Sequence, residues 1–170
     1  YSIIRTVTAV ERADVVLVVI DAAEGVTEQD AKIAGIAHDR GKGIIIAVNK
    51  WDAIEKDNNT VKKHTEKIRQ ILSFMPYAEI LFISAKSGQR LNKIFEMIDV
   101  VIENNSMRVA TGVLNEIVTE AVAMQQPPTD KGKRLKIYYV TQVAVKPPTF
   151  VVFVNDKNPV SYTHLRAHET

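Results

Sequence analysis

Three apolar runs organise the first part of the chain: Val15-Val16-Leu17-Val18-Val19-Ile20, Ile44 to Val48, and Ile80 to Ile83. Unbroken aliphatic stretches, rather than apolar/polar alternation, are the pattern of strands buried on both faces. Helical patterns separate them. Thr27-Glu28-Gln29-Asp30 reads as a capping box opening a helix with Ile33, Ile36 and Ala37 inward, ended near Gly41. A second helix is predicted over about Thr60 to Phe74, with Val61, Ile68, Ile71 and Leu72 on one side. A third carries the stripe Leu91, Ile94, Phe95, Ile98, Val101 and Ile102. Strand and helix in alternation predict a doubly wound parallel α/β unit, with ligand-binding loops at the strands' C-terminal ends.

The pattern changes near Asn104-Asn105-Ser106. A helix from about Thr111 to Met124 is expected to bury Val113, Leu114, Ile117, Val118, Ala121 and Val122, and Pro127-Pro128 ends it. After the basic loop Asp130 to Arg134, the residues Leu135, Ile137, Tyr139, Thr141 and Val143 recur at period two. Pro147-Pro148 separates that strand from Phe150 to Val154. Helix–strand–strand without a crossover predicts a smaller α+β domain. The expected division is therefore residues 1–106, an α/β domain; residues 107–157, the α+β domain; and residues 158–170, whose weak apolar periodicity reads as a non-native tail.

Composition narrows the picture only slightly. The chain has 170 residues, of which 46% are apolar, enough for packed cores. Residues 1–107 carry 14 Lys and Arg against 15 Asp and Glu, a net of −1; residues 108–170 carry 8 against 5, a net of +3. The basic C-terminal part is compatible with a nucleic-acid partner, and equally with a solvated face. With no cysteine there is neither a disulfide framework nor a thiolate metal site. His38 and His64 fall on predicted helices without ligand partners at metal spacing. The longest apolar run, Val15 to Ile20, is too short for a membrane span, so a soluble, cytoplasmic protein is expected.

Candidate chemistry sits at two strand ends. Asn49-Lys50-Trp51-Asp52 follows the second apolar run, and Ser84-Ala85-Lys86 follows the third. Guanine offers N1–H and N2–H₂ donors beside an O6 acceptor, and one ionised carboxylate can take both donors. Adenine would leave that charge unpaired, a penalty that reaches ~10⁴–10⁵-fold in hydrogen-bonding sites. On this reading Asp52 sets base specificity and Asn49 donates to N7 or O6 while tying neighbouring loops together. Lys50 lays its stem along the purine face, the Ala85 N–H suits O6, and Lys86 packs on the opposite face. Asn, Asp and Ser are also ordinary turn residues after a strand. Two such motifs in this order outweigh that reading. Trp51 is expected to pack locally, and Asp21, before Ala22-Ala23-Glu24-Gly25, to serve a turn or cap.

With these residues in view, the chain resembles the Der (EngA) family of bacterial double GTPases, within the Era/EngA group. The resemblance runs from Glu11-Arg12-Ala13-Asp14 through Thr27-Glu28-Gln29-Asp30 to Asn49-Lys50-Trp51-Asp52, and looks like the second of the family's two GTPase domains. Trp51 and the following KH-like domain favour that copy over the first, and Trp51 with the missing G-x-x-G disfavours another Era-type GTPase. The resemblance covers residues 1 to about 156. It implies a P-loop-type G domain followed by a KH-like domain, with binding of GTP and GDP, hydrolysis with Mg²⁺, and action in large-subunit ribosome assembly in contact with ribosomal RNA.

The sequence departs from the family pattern in three places. It contains no G-x-x-x-x-G-K-[ST], so the P-loop, switch I and D-x-x-G segments are expected before Tyr1, with Tyr1 to Ala13 as the helix after switch II. No catalytic or metal-binding residue is assigned, and Mg²⁺ is expected only with that preceding part. After Asp156 the family continues with a helix and a strand, where this chain has Pro159 to Thr170. The cluster Lys131, Lys133, Arg134 and Lys136 carries only Gly132 where RNA-binding KH modules use G-x-x-G. This keeps an alternative open: a nucleotide-independent RNA or ribosome docking module built on the C-terminal domain. Finally, Asp14 to Ile20 is expected at an exposed sheet edge, through which the polypeptide would self-associate.

Overall fold

The computed structural model describes residues 2–127, 129–130 and 133–155. Its contacts divide the chain into two compact units, residues 1–107 with 145–148, and residues 108–144 with 149–170. The segment expected to be a non-native tail, 158–170, lies outside the described residues.

The first unit follows the alternation of its sequence: α1 (Ser2–Arg12), β1 (Val15–Asp21), α2 (Glu28–Asp39), β2 (Gly43–Asn49), α3 (Thr60–Ile71), β3 (Glu79–Phe82) and α4 (Leu91–Ser106). The strands form one parallel sheet in the order β1-β2-β3. Every residue of β2 from Gly43 to Val48 is buried. Alternate side chains serve opposite faces. Ile44, Ile46 and Val48 join Ala34, Ala37, Ile68 and Leu72 in the main core, with α2 and α3. Gly43, Ile45 and Ala47 face the other way, toward α4. There a Cβ on Gly43 would lie 2.5 Å from Val101 Cγ1, so the strand–helix approach requires glycine.

The capping box of α2 forms as its sequence predicts: Thr27 Oγ1 accepts from the Asp30 N–H, and Asp30 Oδ2 accepts from the Thr27 N–H. Gly41 follows that helix at φ +65°, the left-handed conformation that glycine adopts without strain. Three inner faces match expectation only in part: Ala37, Ile68, Leu72 and Val101 are buried as expected. In α2 the fully buried residues are Ala34 and Ala37, because small side chains let the helix lie close on the sheet. In α3 they are Thr60 and Ile68, while Val61 and Ile71 are 49% and 41% exposed. Thr60 is drawn in because its Oγ1 accepts from the Asp57 N–H and donates to Asp57 Oδ1. In α4 only Val101 is fully buried, and Phe95 is exposed.

The second unit contains α5 (Thr111–Met124), the short strands β4 (Thr129–Asp130) and β5 (Lys133–Arg134), and the hairpin strands β6 (Ile137–Ala144) and β7 (Thr149–Val154). The hairpin is antiparallel with two register irregularities. They reverse the expected alternation. Val140 and Gln142 are the buried positions of β6, whereas Tyr139 and Val143 are largely exposed. Helix α5 turns Asn115 toward this strand: Asn115 Oδ1 accepts from the Val140 N–H and Nδ2 donates to the Val140 carbonyl, at 2.9 and 2.8 Å. Gln142 Oε1 accepts from the Val109 N–H. The apolar stripe of α5 is correspondingly rotated, with Val113 and Ile117 exposed.

Candidate nucleotide-base site

The parallel register sets the site. Asp21 at the end of β1 lies level with Asn49 at the end of β2. Backbone bonds continue past the strand ends: Ala22 N–H to Asn49 O at 3.0 Å, Ile83 N–H to Val48 O at 2.8 Å, and Trp51 N–H to Ile83 O at 3.0 Å. Three loops are thus stitched together before any side chain contributes.

Lys50 adopts a left-handed conformation (φ 62°, ψ 30°) that turns the chain into a short 3-10 turn, Trp51–Ala53. Trp51 is 2% exposed and anchors that turn, its ring 4.4 Å from Phe82 and 5.1 Å from His64 between centroids. The His64 ring nitrogens lie 2.9 Å from the Thr60 carbonyl and 3.3 Å from the Ala22 carbonyl, so this histidine joins α3 to the loop after β1. Burial of Trp51 leaves its neighbour Asp52 exposed.

The side chains of the two motifs interlock. Asn49 Oδ1 accepts from the Ala85 N–H at 2.9 Å. Ser84 is fully buried; its hydroxyl donates to Asp52 Oδ1 at 2.6 Å and accepts from the Ser87 N–H at 3.2 Å. One Asp52 oxygen, Oδ1, is therefore engaged by Ser84. The Ser84 hydroxyl holds the Asp52 carboxyl below its ordinary value; burial opposes this, and its own backbone N–H and the charges of Lys86 and Lys56 add to it. Asp21 divides its oxygens: Oδ1 accepts from the Ala23 and Glu24 N–H groups, and Oδ2 pairs with the Lys50 ammonium.

All six residues expected at the site, Asn49, Lys50, Asp52, Ser84, Ala85 and Lys86, thus lie on two loops joined by hydrogen bonds. Two details differ from the expected division of labour. The Ala85 N–H, assigned to a base oxygen, is engaged by Asn49, and Ser84 acts on Asp52 rather than only closing the loop. The Asp21–Lys50 pair escaped sequence reasoning, although the parallel register of two adjacent strand ends was a usable signal for it. Among the described residues no group of three or more His, Asp or Glu is placed to hold a metal ion. No helix among them is long and apolar enough to cross a membrane.

Comparison with known proteins defines the class first. Residues 3–104 match the elongation factor Tu GTP binding domain, and residues 108–168 match the KH-domain-like, C-terminal domain of EngA bacterial GTPase enzymes. The solved structure of translation elongation factor SelB from Methanococcus maripaludis with the GTP analogue GppNHp aligns at a TM-score of 0.52 and 25% identity, covering 58% of this chain and 22% of that one. GTPase Der of Agathobacter rectalis is 90% identical over 166 residues, and that of Lachnoclostridium phytofermentans 73%; each alignment takes in 98% of this chain and 38% of the relative. The chain belongs to the GTPase Der (EngA) family, within the wider class of GTP-binding domains, and spans 38% of the length of these relatives.

Proposed function

We propose that this chain supplies the guanine-recognition site of a GTP-hydrolysing cytoplasmic protein that acts in assembly of the large ribosomal subunit. The observation that carries the guanine reading is Asp52, exposed in the turn after β2, with one oxygen fixed by buried Ser84. An ionised carboxylate in that state suits the paired N1–H and N2–H₂ donors of guanine. Asn49 spans the gap between the loops and retains its amide N–H₂ for N7 or O6. A base oxygen reaching the Ala85 N–H would compete with Asn49 Oδ1 for it. Lys50 and Lys86 supply aliphatic stems for the two faces of the ring.

Phosphate chemistry has no counterpart on these residues. The donor set present fits a purine edge and not a Mg²⁺–triphosphate, so no hydrolytic step is assigned to any side chain here. The ribosomal role rests on family membership. The basic side chains of Arg134 and Lys136 in the second unit are compatible with contact to RNA phosphate.

The test is competition in the full-length protein. GDP should displace a fluorescent guanine nucleotide, ADP should not at a hundredfold higher concentration, and the GTP-loaded form should co-sediment with large ribosomal subunits. Equal displacement by ADP would remove the guanine reading. Co-sedimentation independent of nucleotide would favour a docking module instead.

A further inference from the structure

We propose that Asp21 is a positioning residue for nucleotide binding: it tethers the Lys50 ammonium so that the lysine stem forms a fixed platform for the purine ring. The inference rests on the guanine-site reading above and extends it to a residue outside both motifs. Three observations place Asp21 in that role. Its Cα is level with Asn49 in the β1–β2 register, one residue from Lys50. Its two oxygens are divided, Oδ1 held by the Ala23 and Glu24 N–H groups and Oδ2 by Lys50. Its side chain is 20% exposed, while that of Lys50 is 65% exposed. The anchor is therefore mostly enclosed by protein, while the lysine stem remains open.

A free lysine samples many rotamers, and a ring that stacks on it must order them. A lysine already pinned at its tip presents CH₂ groups in one arrangement, and binding need not order them afresh. The Lys50 ammonium first, and then the Ala23 N–H, hold the Asp21 carboxyl below its ordinary value. The platform touches the face of the ring and not its edge. Asp21 thus governs how tightly a purine is held, and Asp52 governs which purine.

This separation gives the test, made by nucleotide titration of the full-length protein. Asp21→Asn keeps an oxygen for the Ala23 N–H and removes the negative charge that pairs with the Lys50 ammonium. It should weaken GDP and inosine diphosphate by the same factor, roughly threefold to tenfold, leaving their ratio unchanged. Lys50→Met keeps an apolar stem without the charge, and in that background Asp21→Asn should have no further effect. An equal loss in both backgrounds would show that Asp21 acts only through its turn and would overturn the proposal. So would no loss in either, or a changed GDP/inosine diphosphate ratio. Asp52→Asn, measured in parallel, separates the two failures. If it exchanges guanine for xanthine preference while Asp21→Asn behaves additively, only the Asp21 inference falls; if it leaves preference unchanged, the guanine-site reading falls with it.

Discussion

Trp51 is a buried anchor for the turn that carries Asp52. It stands between Lys50 and Asp52, fully buried against Phe82 and His64, and so fixes the turn that presents Asp52. Truncation to alanine should destabilise the fold by about 3–5 kcal/mol, read as a lower denaturation midpoint. Ser84→Ala should act differently, costing less stability, about 1–2 kcal/mol, and weakening guanine nucleotide binding roughly fivefold to tenfold in the full-length protein. A loss of binding from Trp51→Ala without loss of stability would contradict this division. The Asp52–Ser84 bond also has a pH signature. Because folding lowers the Asp52 pKa, its stabilisation is complete above the ordinary aspartate value of 3.8 and is lost as pH falls through the lower folded value. Ser84→Ala should raise that folded value toward 3.8, measurable by NMR titration of the Asp52 carboxyl. Motif residues were legible in sequence because their order and strand-end placement are local. The Ser84 hydroxyl and the Asp21 carboxylate acquire their roles from neighbours on other strands, which spacing along the chain does not reveal.

Among elements, buried strands were the easiest to read. A run such as Ile44 to Val48 leaves no choice of face, since both faces are covered. Elements buried on one side were harder. The period-two set of β6 includes Tyr139 and Val143, but with register irregularities between Ile137 and Tyr139 and between Gln142 and Ala144 the buried positions are Val140 and Gln142. The polar residue that fixes this choice, Asn115, interrupts an apolar helix and carries no apolar signal of its own. Asn115→Ala should leave the buried Val140 N–H and carbonyl without their partner, at a cost of about 1–3 kcal/mol, and accelerate hydrogen exchange at the Val140 amide. Unchanged exchange would contradict that role. Strand β1 is the corresponding case in the first unit. Among the described residues it pairs only with β2, and Leu17 and Val19 remain 36% and 52% exposed. An apolar strand edge of this kind invites pairing, so this polypeptide in isolation should self-associate. A monodisperse monomer by light scattering would count against it.

At the scale of the whole molecule, the proposed base site and phosphate binding draw on different sequence motifs. Both loops proposed to read the base lie among the described residues, whereas the sequence contains no G-x-x-x-x-G-K-[ST] to cradle phosphates. The 170-residue polypeptide by itself should therefore show no GTP turnover above background. Stoichiometric turnover by the purified chain would contradict this. The contacts divide the chain at residues 107 and 108, and return residues 145–148 to the first unit, a return that no pattern in the sequence marks. Side-chain faces in the second unit were not legible either, because a small hairpin against one helix is set by a few polar contacts. The most direct test of the account is a side-by-side titration of Asp52→Asn in the full-length protein with GDP and xanthosine diphosphate. The account predicts that GDP affinity falls at least tenfold while xanthosine diphosphate gains, since an amide suits the xanthine edge and a carboxylate the guanine edge. Undiminished GDP binding with no gain for xanthosine diphosphate would show that Asp52 does not read the base.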